Sequence, residues 1–103
     1  MTTTEQYERL APVHPGEVLM EDFIEQLGIS QNRVAVAIGV PPRRINEIVH
    51  GKRSVSADTA LRLGRFFGTS AQFWLYLQAH YDLDLAEDRA ADAIRDIRPH
   101  DAA

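Results

Sequence analysis

A chain of 103 residues is long enough for one domain with a single core and too short for two ordinary ones, and 45% hydrophobic residues give it the apolar material to offset chain entropy. It has no cysteine, which excludes a disulfide framework, a thiolate metal site and a cysteine nucleophile and fits a reducing cytoplasm; no cationic start followed by an apolar run marks export, and no apolar run approaches a membrane span. The net charge of -4 is unevenly spread: residues 1–29 carry one Arg against six acids, residues 66–103 carry three Arg against seven acids, and residues 30–65 carry seven cations against Glu47 and Asp58, so a basic centre lies between two acidic arms.

In chain order the pattern is helical throughout, with no internal repeat. Residues 1–12 are expected to be flexible. Pro15 suits a first helical position, and Val18, Leu19, Phe23, Ile24 and Leu27 recur at helical spacing until Gly28, predicting a helix over 15–27. Ser30 is a capping type, Val34, Ala35 and Ile38 form an apolar stripe, and Gly39 suits a helix end, so a short second helix is expected over 31–38. A third begins at Pro41 or Pro42, carries Ile45, Ile48 and Val49 on one side, and stops at Gly51. Ser56 caps a fourth over 57–67, with Ala60, Leu61, Leu63, Gly64 and Phe67 inward, before Gly68. Thr69 or Ser70 opens a fifth over 71–81, whose Phe73, Trp74, Leu75 and Leu77 read as core. A separate C-terminal helix is expected over 86–98, where Ala90, Ala93, Ile94 and Ile97 make only a thin apolar side that calls for a partner. Residues 99–103 are again expected to be flexible.

On a helical wheel at about 100° per residue, the third helix places Ile45, Ile48 and Val49 together and Arg43, Asn46, Glu47 and His50 opposite, with Arg44 on the flank. The apolar side pins the helix to a core and leaves outside the side-chain types that contact base edges and phosphates. Pro41 and Pro42 fit this setting: in the first turn a missing amide donor costs little, the fixed backbone angle suits the helix, and the ring is an apolar surface able to meet a thymine methyl.

From Gln31 to His50 the segment resembles the helix-turn-helix of the lambda-repressor-like (XRE) class, with Val34, Ala35, Ile38, Gly39, Val40, Ile45 and Ile48 in its core, small and turn positions. Over roughly 13–84 the chain resembles the HigA family of antitoxins. The resemblance implies an all-α, lambda-repressor-like five-helix domain with an additional C-terminal helix, a single domain over 1–103 with the helix-turn-helix at 30–51. It also implies a protein that binds double-stranded operator DNA, represses its own operon, and neutralises a HigB-type toxin, a small ribosome-dependent ribonuclease of the RelE class.

Carried onto this sequence, the resemblance places Ser30, Gln31 and Asn32 at the opening of the second helix, where free amides and the positive helix end favour a phosphate. Pro42, Arg43, Arg44, Asn46 and Glu47 occupy recognition-helix positions. Arg43 is the first choice for bidentate contact with guanine, and Arg44 for a phosphate; Glu47 either accepts from a cytosine amine or orients an arginine one turn earlier. Lys52 and Arg53 come next and suit the DNA backbone. The binding unit is expected to be a homodimer, since two recognition helices about 34 Å apart match successive major grooves, and the fifth helix with 86–98 is the favoured contact. The acidic arms, or Glu17, Glu21 and Glu25 on the outer face of the first helix, are candidates for meeting a cationic toxin.

No metal, cofactor or catalytic group is expected: His14, His50, His80 and His100 are scattered, "HYDLDLAED" suits a turn or surface cap around His80, and no nucleophile stands with a base. Two other readings are a stand-alone XRE regulator without a toxin and an interaction module that keeps the fold without DNA.

Overall fold

Three serines start helices by one device. The hydroxyls of Ser30, Ser56 and Ser70 accept the backbone N–H of Arg33, Thr59 and Phe73 at 3.0, 3.3 and 3.1 Å, satisfying donors that a helix start leaves unpaired. The computed structural model describes residues 12–101, which contain five helices and no strand: α1 (15–27), α2 (Gln31–Ile38), α3 (Pro42–Val49), α4 (Ala57–Phe67) and α5 (Ala71–Arg95). Residues 1–11 and 102–103, which hold most of the segments expected to be flexible, lie outside the described residues. Pro12 and residues 97–101 have no regular structure.

The first helix departs from its expected pattern. His14 caps it, its Nδ1 accepting the Gly16 N–H at 2.9 Å, and Pro15 comes next in the first turn. The stretch Leu19–Ile24 is then a π-helix, and the Glu25 N–H reaches five residues back to the Met20 carbonyl. Leu19 and Ile24, five apart, are consequently both fully buried. The wider turn takes up an extra residue and rotates the rest of the helix by about 100° relative to a regular one. Leu27, expected inward, is 59% exposed.

The second correction concerns the C-terminus. The sequence leads one to expect separate helices over 71–81 and 86–98, but one helix runs from Ala71 to Arg95. The intervening "DLDLAED" changes polarity without any Gly or Pro that would stop a helix, so propagation continues. The sole interruption is Ala90 (φ -117°, ψ 17°), and Asp96, not Arg98, closes the last turn. Beyond Leu85 the residues to 101 are exposed apart from a half-buried Ala90.

The core joins Leu19 and Ile24 of α1, Val34, Ala35 and Ile38 of α2, Ile45 and Ile48 of α3, Ala60 and Leu63 of α4 and Trp74 of α5, with Val40 and Val55 from the connecting turns. Trp74 is fully buried and donates its indole N–H to the Thr69 hydroxyl at 2.8 Å, so its one polar atom is satisfied. Phe23 meets Phe67 and Trp74 at centroid distances of 5.0 and 5.1 Å, which makes these aromatics packing. Two contacts hold α3 in place. At Gly16 a Cβ would lie 1.8 Å from the Ile48 carbonyl oxygen, so only glycine lets α1 press onto the back of α3. Buried Gln78 of α5 accepts the Val55 N–H at 2.8 Å and donates to Asp82 at 3.0 Å, tying the segment after α3 to α5.

Candidate nucleic-acid interface

Pro42 is the first residue of α3, preceded by Pro41 in extended geometry, and no side chain caps this start. The two rings fix φ at the helix start, and Pro42 removes one amide that would otherwise stand unpaired, so the first turn is set without a polar side chain at its tip. Ile45 and Ile48 are fully buried, so the outward set Arg43, Asn46, Glu47 and His50 is oriented by core packing. That set is cross-linked. Arg43 Nε donates to Glu47 Oε2 at 3.0 Å, one turn on, and Arg53 Nε donates to Glu47 Oε1 at 2.8 Å across the turn closed by Gly51. The two guanidinium hydrogen bonds, that from Arg53 the stronger, hold the Glu47 carboxyl below its ordinary range, so it is a carboxylate throughout the neutral region. With Nε engaged, Arg43 still has its two terminal nitrogens, the pair that fits guanine O6 and N7, and its side chain is 85% exposed.

The structure thus brings Arg43, Glu47 and Arg53 together. It joins α2 to α3 through a second link, in which Asn46 Nδ2 donates to Gln31 Oε1 at 3.2 Å while the Gln31 amide rests on Met20 Sδ at 3.7 Å. Ser30 uses its hydroxyl on its own helix, leaving Asn32 exposed beside it. Arg44 leans from the flank toward Asp58, 4.0 Å away at the start of α4. Lys52 is exposed, with no side-chain hydrogen bond or ion pair among the described residues. His50 turns its Nδ1 back to the Asn46 carbonyl at 2.8 Å.

Sequence reasoning missed two supports of this surface. Arg62 of α4 donates through Nη1 to the Ile38 carbonyl at 2.8 Å, closing the C-terminal end of α2, and its Nε holds Asp58 at 2.9 Å. Its signal is only the Asp58–Arg62 spacing of four, a common surface pair. The second is the Met20–Gln31–Asn46 link, which no local pattern announces.

Glu17, Glu21 and Glu25 are all exposed, but they are not equivalent. Glu17 lines a small recess with His14, Val49, His50, Gly51 and Tyr81, against the C-terminal end of α3. The acidic first helix therefore meets the C-terminal end of α3, within the basic centre, at Glu17 as well as at Gly16. His80 pairs with Asp84 on the surface of α5 at 3.4 Å, and among the described residues no three His, Cys, Asp or Glu side chains gather as a metal site. No helix among them is long and apolar enough to cross a membrane.

Comparison with known proteins agrees with this geometry. Residues 20–74 match the family described as helix-turn-helix. The virulence-associated protein I of Dichelobacter nodosus is 52% identical over 75 residues, covering 73% of this chain and 69% of the relative. The antitoxin HigA-1 of Vibrio cholerae is 30% identical over 88 residues, covering 85% and 83%. Among solved structures, the Pseudomonas aeruginosa antitoxin HigA with the higBA promoter superposes with a TM-score of 0.82 at 44% identity, over 85% of this chain and 97% of that one.

Proposed function

The chain belongs to the helix-turn-helix family and, within it, to the HigA antitoxins, and on that premise we propose that it binds its own operator, represses the operon that encodes it, and neutralises a HigB-type toxin. Its work is binding, and it is not an enzyme. The observation that carries the DNA reading is the Arg43–Glu47–Arg53 cluster on a rigid, exposed helix start. A guanidinium held in place before DNA arrives loses less side-chain entropy on binding.

In the proposed complex α3 enters the major groove. Arg43 reads guanine, Glu47 orients Arg43 and Arg53, Asn46 reads an adjacent base from its tie to Gln31, and Pro42 covers a thymine methyl. Ser30, Gln31 and Asn32 present the start of α2 to a phosphate, and Arg44, Lys52 and Arg53 take the flanking backbone. The acting unit is a homodimer in the cytoplasm, built on one domain spanning 1–103, because one recognition helix reads only a few base pairs. A cationic toxin meets the acidic side of the dimer at Glu21 and Glu25, with Glu17 at the boundary of the two surfaces.

The test is co-expression with the product of the adjacent gene, copurification, and a shift assay on the upstream promoter. Recovery of a complex and retention of that promoter fragment support both activities. DNA binding without a copurifying partner would leave a stand-alone regulator. Glu21→Lys with Glu25→Lys should slow association with the toxin at low salt and leave operator affinity intact; unchanged association would remove α1 from the toxin contact.

A further inference from the structure

Between residues 30 and 65 the chain has two carboxylates, Glu47 and Asp58, and each stands between two arginines. The Glu47 set belongs to the DNA-facing surface described above; the Asp58 set lies behind it. Ser56 caps α4, so Asp58 falls in the first turn, where the positive end of a helix favours a carboxylate. Arg62, one turn on, donates its Nε to Asp58 Oδ2 at 2.9 Å and its Nη1 to the Ile38 carbonyl at 2.8 Å. Its guanidinium is thereby fixed to two elements, the end of α2 and the start of α4, and it fixes the carboxylate in turn. The same oxygen, Asp58 Oδ2, lies 4.0 Å from Arg44 Nη1 on α3. The Arg44 side chain is 32% exposed, against 85% for Arg43 beside it. Two neighbouring arginines of one helix are therefore held differently: Arg43 projects outward, and Arg44 lies along the flank of α3 facing Asp58.

We propose that Asp58, braced by Arg62, is a specificity-determining residue that acts without touching DNA: it aims Arg44 so that its phosphate contact is made only when α3 sits in its operator register. The inference rests on the proposed operator reading and deepens it. Phosphate contacts carry no sequence information of their own, but they fix register and orientation, and an arginine that swings freely finds a phosphate on any duplex. Binding to unrelated DNA comes almost entirely from such contacts. A tethered Arg44 therefore denies nonspecific complexes a contact that the docked operator complex keeps. An ion pair this long and this exposed adds little to folding, since water screens it and the side chains lose entropy in forming it. What it sets is direction. Arg62 completes the arrangement by sharing the Asp58 charge. With Nε of Arg62 on the carboxylate, Asp58 stands off from Arg44, whose terminal nitrogens are left for a phosphate. Glu47 restrains Arg43 and Arg53 by direct hydrogen bonds, so the two acids together hold four cations of the basic centre in place.

Asp58→Asn keeps the shape and an oxygen that accepts from Arg62, and it removes the charge that aims Arg44. Affinity for the upstream promoter and for unrelated duplex is measured across a range of salt. The expected result is a gain on unrelated DNA of up to roughly eightfold at about 0.1 M salt, with a salt slope steeper by about 0.9, the signature of one added phosphate contact. Promoter affinity should change by less than about twofold, so the ratio of specific to nonspecific binding falls. Asp58→Glu, which keeps the charge, should leave both slopes near those of the parent chain, and Arg44→Ala added to Asp58→Asn should abolish the gain. Arg62→Gln should weaken promoter binding by letting Asp58 close on Arg44. Adding Asp58→Asn should then restore it, which a loss caused by loosening the end of α2 would not allow. An unchanged slope on unrelated DNA, or equal gains on both DNAs that survive Arg44→Ala, would overturn the proposal, because Asp58 would then act through net charge or not at all. An Arg62→Gln loss that Asp58→Asn leaves in place would overturn the brace. A parent chain with no preference for its promoter would overturn the operator reading itself.

Discussion

The α2–α3 unit and the distal half of α5 are both rich in exposed polar side chains, yet they are opposites in construction. In α2–α3 the outward groups are bound to one another: Ser30 to its own helix, Gln31 to Asn46, Glu47 to Arg43 and Arg53, with Arg62 closing α2 from behind. Past Leu85, α5 has intrahelical contacts such as Arg95 with Asp92, no burial beyond a half-buried Ala90, and apolar groups facing solvent. The first region is finished within one chain and can meet DNA without rearranging. The second becomes a finished structure when something covers it, so its stability should depend on protein concentration.

The sharpest way to break the contrast is to push α3 off its support. Gly16→Ala places a methyl against the Ile48 carbonyl, a backbone atom that cannot swing aside, and should cost about 3 kcal/mol in urea unfolding, more than an exposed substitution ever would. A normal midpoint would show that α1 and α3 are not locked together. Ser30→Ala should cost about 1 kcal/mol by removing the cap of α2. Restoration by Ser30→Asp, with no recovery in Ser30→Val, would identify the cap as the cause.

A gentler probe is pH. Burial holds the His14 imidazole below its ordinary value of 6.5, with the carboxylates of Asp82 and Glu17 opposing, and its Nδ1 must stay unprotonated to accept the Gly16 N–H. The neutral ring belongs to the folded state, so its contribution is fully present above pH 6.5 and declines as pH falls below that value toward the lower folded one. His14→Asn retains a capping side chain and should remove that part of the acid-side decline; an unchanged profile would place the titration elsewhere. Smallest of all, Leu83→Asp should change monomer unfolding by no more than about 0.5 kcal/mol while weakening the dimer, whereas a large loss in the monomer would mean that α5 is already covered within one chain.

How much of this is legible in the sequence depends on how local each feature is. The bounds of α2, α3 and α4 are written in their flanks: Ser30 and Gly39, Pro42 and Gly51, Ser56 and Gly68 are side chains or glycines acting within a turn of themselves. The Arg43–Glu47 pair is a spacing of four and can be expected; Arg53 joins it only because left-handed Gly51 turns the chain back, which spacing does not reveal. The π stretch Leu19–Ile24 has no residue signature, and it emerges from packing Leu19 and Ile24 into one core, which is why a regular helical repeat misplaces Leu27. The break expected near 82–85 rests on a change of polarity, but polarity decides which face is wet, whereas ending a helix takes a Gly, a Pro or a cap. The Gln31–Asn46 link depends on how two helices cross and lies beyond any local pattern.

The central claim is that α3 reads sequence through an arginine fixed before DNA arrives, and the most direct test is competition binding of the Arg43→Ala chain over a set of single-position variants of its promoter, at fixed salt. The account predicts a loss of about 1–3 kcal/mol on the cognate site, relaxed preference at one base pair in each half-site, and unchanged preference elsewhere. An equal loss on every sequence, including unrelated DNA, or no loss on any, would contradict it.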